Sequence, residues 1–252
     1  MTTAELHPLL VALQLGLGVV TFIALVFIRA PYGRHTRGGW GPTLPVRWGW
    51  VLMELPAVVA FAAFFLLGPN RGELVPLVLL AFWQLHYLNR TFVYPFRIRV
   101  GDRRMPLLIP VMAIAFNLLN AWINATWLSA LGAYDGSWLR DPRFLIGAVI
   151  FLGGWYGNLH SDAVVRRLRA PGETGYRIPQ GGLFRWVSAP NYLCEIIEWC
   201  GWAIMTWSPA GLAFAVYTFA NLGPRAFSNH RWYRETFEDY PPERKALIPY
   251  VL

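Results

Sequence analysis

Four ionisable side chains stand inside long apolar stretches: Glu54, Arg90, Glu195 and Glu198. Each costs about 2.5–3.5 kcal/mol to place at the centre of a bilayer helix, so each is a candidate for chemistry. An ion pair between Arg90 and one of the glutamates would account for part of this set, but not for all of it. Trp83, Tyr87, Arg90 and Thr91 follow i, i+4, i+7 and i+8 and share one helical face, with His86 beside it. A Tyr next to a carboxyl in apolar surroundings can form a proton-donating pair, whereas a Tyr alone would read as an interfacial aromatic. Further along, Asn158 and Asp162 are one turn apart, and Asn191, Glu195, Glu198 and Trp202 follow i, i+4, i+7 and i+11. Two stripes of amides and carboxylates facing arginines suit a ligand that carries amide, ribose and phosphate groups, which describes a nucleotide. Packing between polar helices is the competing reading, and it is the one adopted for the similar stripe Asn117, Asn120 and Asn124.

The elements that must carry these residues are helices in a membrane. The chain has 252 residues, of which 56% are hydrophobic, 16% aromatic and 14% charged. Soluble domains carry about 25% charged residues, so a soluble globular domain is excluded. Stretches of about 20 apolar residues, the length that spans a bilayer, occur at 6–28, 48–67, 74–94, 107–131, 144–159, 191–207 and 210–227. The fifth is short. The last two, separated by Ser208 and Pro209, read as a helical hairpin. The first is too long for a signal-peptide core and has Glu5 before it, so it is expected to stay in the mature chain. The expected fold is an all-α integral membrane protein of seven transmembrane helices, a single domain over residues 1–252.

Charge sets the orientation. Lys and Arg total 22 against 14 acidic residues, a net +8, and Lys245 is the single lysine among 21 arginines. They gather in the first, third and fifth loops and the tail, while the second and fourth loops hold only Arg71, Arg140 and Arg143. Positive residues collect on the cytoplasmic side, so the N-terminus is expected outside and the C-terminus in the cytoplasm. Residues 161–189, rich in Gly, Pro and Arg, read as an ordered cytoplasmic loop. So apolar a chain argues against nucleic acid as a partner. Cys194 and Cys200 are six apart and point to different helix faces, which gives neither a disulfide nor a zinc site. No Walker sequence occurs, and Gly16-Leu-Gly18 lies in an apolar span with no strand before it, so any dinucleotide must be held by helix-borne side chains.

Longer strings then become recognisable. Asn158-Leu-His-Ser-Asp162, Leu168-Arg169, Pro171-Gly-Glu173, Tyr176-Arg-Ile-Pro-Gln-Gly-Gly-Leu-Phe184 and Asn191-Tyr-Leu-Cys-Glu195-Ile-Ile-Glu198-Trp199 resemble the steroid 5-alpha-reductase family. Phe237-Glu-Asp-Tyr240 and Lys245-Ala-Leu-Ile-Pro249 agree, as do Tyr32-Gly-Arg-His-Thr36, Glu54-Leu-Pro56, His86-Tyr87 and Arg90-Thr-Phe-Val-Tyr94. The resemblance runs over nearly the whole chain and suggests a bacterial relative. It implies a seven-helix membrane reductase that uses NADPH to saturate the C4–C5 double bond of 3-oxo-Δ4 steroids. Glu54 and Tyr87 match the catalytic pair that hydrogen-bonds the 3-keto oxygen, and Trp50 and Trp199 resemble aromatic walls of the steroid site. Asn158, Asp162, Arg169, Tyr176, Asn191 and Glu195 match NADPH contacts; Arg90, Arg99, Arg225 and Tyr233 are similar to positions near its phosphates or ribose, and Tyr32 and Arg34 join them. On this reading the N-terminal helices form the substrate site, and residues from about 158 onward form most of the cofactor site. Two positions depart from the pattern: Met53 stands where steroid reductases tend to have Gln, and Ser228-Asn229-His230 keeps only the last residue of a His-rich run.

The expected partners are an apolar enone drawn from the bilayer and membrane lipid, with the protein a monomer. The expected location is an inner membrane in a bacterium or the endoplasmic reticulum in a eukaryote. A membrane methyltransferase of the isoprenylcysteine or phospholipid type, using S-adenosylmethionine, is the alternative, since Pro190-Asn-Tyr192 and Glu195 fit it superficially. Against it, Ser188-Ala189 replaces the expected Arg-His. A transporter, or a haem protein with His86 and His160 as ligands, is a third reading.

Overall fold

The structure is a computed structural model that describes residues 1–168, 170, 173 and 175–251. α1 (Thr3–Phe27) opens on a capping box: the Thr2 hydroxyl accepts from the Glu5 amide at 3.3 Å, and the Glu5 carboxylate accepts from the Thr2 amide at 2.8 Å. There follow β1 (Thr43–Pro45), α2 (Val46–Leu67), α3 (Leu74–Leu88), α4 (Tyr94–Arg97), β2 (Arg104–Pro106), α5 (Leu108–Thr126), α6 (Pro142–Arg167), α7 (Pro190–Thr206) and α8 (Pro209–Thr236). A π-turn over Asn89–Val93 joins α3 to α4, and another over Trp127–Leu131 prolongs α5. Helix α1 packs along α8, α2 along α5, α6 along α7, and α7 beside α8.

Among the described residues, helix covers each of the seven predicted apolar stretches. Three helical segments, Thr3–Phe27, Val46–Leu67 and Leu108–Leu131, are long and apolar enough to cross a membrane by length and composition. The outer face of α1 is apolar, with Leu9, Val19, Val20 and Ile23 all exposed, as suits contact with lipid rather than water. Trp207 takes a left-handed φ of 44° and Ser208 caps α8 by accepting from the Gly211 amide at 2.8 Å, which makes the expected tight hairpin between α7 and α8.

Three expectations need correction. The fifth segment is not short: α6 has 26 residues and runs to Arg167, so the loop expected from 161 begins only after it. Hydropathy marks where apolar surface stops, whereas this helix continues on polar residues, with Ser161 Oγ donating back to the Gly157 carbonyl at 2.7 Å. Helix α8 likewise extends to Thr236, past the apolar limit at residue 227. The fold is also not purely helical, because β1 and β2 pair antiparallel with Leu44 opposite Met105. Arg104 holds that ladder, its Nε donating to Thr43 Oγ1 at 2.9 Å and its Nη2 to the Thr43 carbonyl at 2.6 Å.

Glycines set the α6–α7 distance. A Cβ on Gly154 would meet the backbone of Glu198 and Cys194, one on Gly147 the backbone of Met205 and Gly201, and one on Gly201 the backbone of Phe151. Small residues that bring backbones together are how helices associate without a hydrophobic driving force. Gly154→Leu is therefore expected to destabilise the bundle by about 1–3 kcal/mol or more. Gly153→Leu, at a position with nothing within 4 Å, is expected to be neutral. Thermal melting of the two variants in detergent checks this, and equal melting would contradict it.

Candidate active site

A cleft of about 240 Å³ lies between the first loop, the β1–β2 ladder, α6, α7 and α8. Of the residues singled out in the sequence, it brings together Tyr32, Arg34, Trp50, Arg99, Asp162, Tyr176, Asn191, Arg225 and Tyr233. Sequence reasoning gave no site role to Arg103, Tyr94 and Tyr192, which also line it. Arg103 was visible only as one of several loop arginines, and nothing in the spacing of the two tyrosines marked them.

Arginines dominate the charge of the cleft wall. The Arg34 guanidinium lies 4.9 Å above the Trp232 ring, 4.5 Å above Tyr233 and 5.8 Å from Tyr176, while its buried Nη1 has no hydrogen-bond partner. A buried, unsatisfied donor on a fixed cation is suited to an anion, since leaving it unpaired is costly. Arg225 sits 4.9 Å over the Tyr32 ring and donates to Tyr192 Oη at 3.2 Å, and Arg103 donates to Tyr176 Oη at 2.7 Å. Burial, opposed by Arg225, pushes the Tyr32 hydroxyl up to about 12, so it is a hydrogen-bond donor at neutral pH. His35 Nε2 meets Asn229 Oδ1 at 3.2 Å, so the residue that departs from the His-rich run ties the first loop to α8. Arg244, buried in the C-terminal segment, donates to the Pro179 carbonyl at 2.9 Å and Gln180 Oε1 at 2.7 Å.

The two polar stripes zip together at the cleft floor. Asn158 Nδ2 donates to the Asn191 carbonyl at 3.0 Å and to Glu195 Oε2 at 3.2 Å, and Asn191 Nδ2 donates to Asp162 Oδ1 at 3.3 Å. Arg90 pairs with Asp162 at 3.3 Å rather than with a glutamate, because both side chains reach the cleft floor from α6 and from the π-turn after α3. π-turns recur at functional sites because they re-aim side chains along a helix. Here the turn leaves Arg90 stacked 4.9 Å from the Trp50 ring and 4.3 Å from Tyr94. Arg169 lies outside the described residues.

Beyond Arg90 the bundle interior holds the second group. Tyr87 is buried, 4.9 Å from the Trp83 ring and 5.6 Å from Trp199, while Glu54 is half-buried on α2, and neither lines the cleft. Glu198 pairs with His86, whose Nδ1 is 2.8 Å from Oε1, which engages the histidine that the haem reading needs as a ligand. The asparagine stripe ties α5 to two other helices: Gln14 Nε2 of α1 donates to Asn120 Oδ1 and Trp202 Nε1 of α7 to Asn124 Oδ1, both at 3.0 Å, while Asn124 Nδ2 donates to Asn120 Oδ1 within α5 at 3.0 Å. Cys194 is buried and Cys200 exposed, both free.

Apolar outer helices, a cleft lined by arginines and aromatic rings, and a buried tyrosine and tryptophan cluster beside it are the features of a membrane protein. Residues 103–252 match the family described as 3-oxo-5-alpha-steroid 4-dehydrogenase. The chain is 43% identical over 244 residues to 3-oxo-5-alpha-steroid 4-dehydrogenase 1 of Bos taurus, covering 95% of each chain. It is 47% identical over 238 residues to steroid 5-alpha-reductase DET2 of Solanum lycopersicum, covering 92% of this chain and 91% of the relative. With 3-oxo-5-alpha-steroid 4-dehydrogenase 1 of Homo sapiens it shares 42% identity over 241 residues, 95% of this chain and 93% of the relative. The chain belongs to the 3-oxo-5-alpha-steroid 4-dehydrogenase family and is an oxidoreductase acting on a CH–CH group. The methyltransferase alternative is not favoured.

Proposed function

We propose that the protein reduces the C4–C5 double bond of 3-oxo-Δ4 steroids with NADPH, as a seven-span membrane enzyme with its N-terminus outside and its C-terminus cytoplasmic. The observation that supports this reading is the arginine-lined cleft with the Arg90–Asp162 pair at its floor, three residues along the chain from the buried Tyr87. Tyr32, Arg34, Arg90, Arg99, Asn158, Asp162, Arg169, Tyr176, Asn191, Glu195, Arg225 and Tyr233 would hold NADPH. Of these, Arg34, with its unsatisfied buried nitrogen, is the best placed for a phosphate. NADPH supplies a hydride to C5 when bound.

The chain's own residues do the rest. The Tyr87 hydroxyl and the Glu54 carboxyl donate hydrogen bonds to the 3-oxo oxygen, where negative charge develops as C5 is reduced. Donors placed before the reaction act strongly because no water must reorganise around them. The enolate then takes at C4 a proton that comes from solvent, and the 3-oxo group is restored. Trp50 lines the cleft and would offer a flat face to a flat apolar ligand, and Trp199, buried beside Tyr87, would support the wall behind it.

Loss of NADPH absorbance on adding progesterone or testosterone to detergent-solubilised protein, with the 5α-reduced steroid recovered by chromatography, tests the reading. Binding of S-adenosylmethionine without NADPH binding would overturn it. Arg34→Ala is expected to weaken NADPH by about tenfold or more, the scale of a lost charged hydrogen bond. Fluorescence titration measures this, and an unchanged affinity would take Arg34 out of the cofactor site.

A further inference from the structure

Helix α2 carries Glu54 two residues before Pro56. A proline has no amide hydrogen, so it leaves the Leu52 carbonyl without its helical donor and loosens the turn on which Glu54 stands. In hydrocarbon no water can take over, and such a break is tolerated where neighbouring helices donate to the exposed backbone. Side chains hold the carbonyls next to and beyond the freed one. Asn117 of α5 donates from Nδ2 to the Met53 carbonyl at 2.7 Å, while Trp83 and Gln84 of α3 donate to the Ala57 and Val58 carbonyls at 2.8 and 3.1 Å. Asn117 is buried, and the carbonyl it holds belongs to the residue next to Glu54. The Met53 side chain packs with Val46, Met105, Ile109 and Ala113, so the residue beside Glu54 brings no polar group of its own.

We propose that Asn117 is a positioning residue of the reductase site: by holding the Met53 carbonyl in the turn before Pro56, it fixes the backbone from which the Glu54 carboxyl reaches the 3-oxo oxygen. This rests on the role of Glu54 proposed above. Trp83 holds the Ala57 carbonyl one turn further on while its ring lies 4.9 Å from that of Tyr87, so both members of the pair are referred to one stretch of α2 backbone. The sequence offers only an asparagine stripe that reads as helix packing, and packing predicts a different outcome from positioning.

A double-mutant cycle separates the two. Progesterone affinity is measured by tryptophan fluorescence in the NADP⁺-saturated full-length protein for wild type, Asn117→Leu, Glu54→Ala and the double variant, with melting temperature recorded for each. Asn117→Leu is expected to weaken progesterone about fivefold or more and to add no further loss in the Glu54→Ala background, since residues acting through one another are not additive. Asn117→Gln, which keeps the amide donor, is expected to recover most of the affinity. Asn117→Ser, a smaller change, runs through the same cycle if the leucine variant does not fold. An equal loss in both backgrounds, or no loss in either, overturns the proposal. Unchanged affinity in Glu54→Ala alone would instead overturn the role of Glu54 and leave the family assignment standing.

Discussion

Tyr87→Phe is expected to lower steroid turnover by about 10²–10³, the effect of removing one preorganised donor from a developing oxyanion. The NADPH affinity of that variant should be unchanged, because Tyr87 lies in the ring cluster with Trp83 and Trp199 rather than in the arginine cleft. Stability should hardly move, since phenylalanine keeps the ring contacts. Glu54→Gln is expected to lower turnover by a smaller factor, because an amide still donates a hydrogen bond but cannot donate a proton. Single-turnover rates at saturating NADPH and progesterone give these values. Wild-type rates in both variants would remove the proposed oxygen-binding pair, whatever the cofactor does.

Arg90→Met is the second large effect, and it falls on stability as well as on cofactor binding. Arg90 is buried, pairs with Asp162 at 3.3 Å and stacks on Trp50 and Tyr94. Truncating one member of a buried pair leaves the other charge unsatisfied, which costs about 3–5 kcal/mol. Asn191 still donates to Asp162 at 3.3 Å, but one amide does not replace a guanidinium. Thermal melting in detergent should show a marked loss for Arg90→Met and partial recovery in Arg90→Met with Asp162→Asn, where the unpaired charge is gone. If the single variant melts like wild type, the ion pair does not hold the cleft floor as described.

The placement of these residues was legible in the sequence to different degrees. The polar stripes on α6 and α7 were readable because ionisable and amide side chains at helical spacing stand out in apolar sequence, and they do interlock through Asn158, Asn191 and Glu195. The partner of Arg90 was not readable, because pairing between distant helices depends on where a π-turn rotates the side chain, and no residue type announces that turn. The ends of α6 and α8 were missed because hydropathy reports the edge of an apolar surface, not the last hydrogen bond of a helix. The β1–β2 ladder was missed because three-residue strands lie below the length at which alternation can be seen. Pairing of His86 with Glu198 had no signal beyond their apolar surroundings, since the two are 112 residues apart.

The most direct test of the central claim uses NADPH carrying deuterium at both C4 positions, with progesterone and the purified wild-type protein in ordinary water. The account predicts a 5α-reduced product bearing one deuterium at C5 and hydrogen from solvent at C4, formed in equal amount to NADP⁺. Product without deuterium at C5, or NADPH oxidised while the steroid is recovered unchanged, would contradict it.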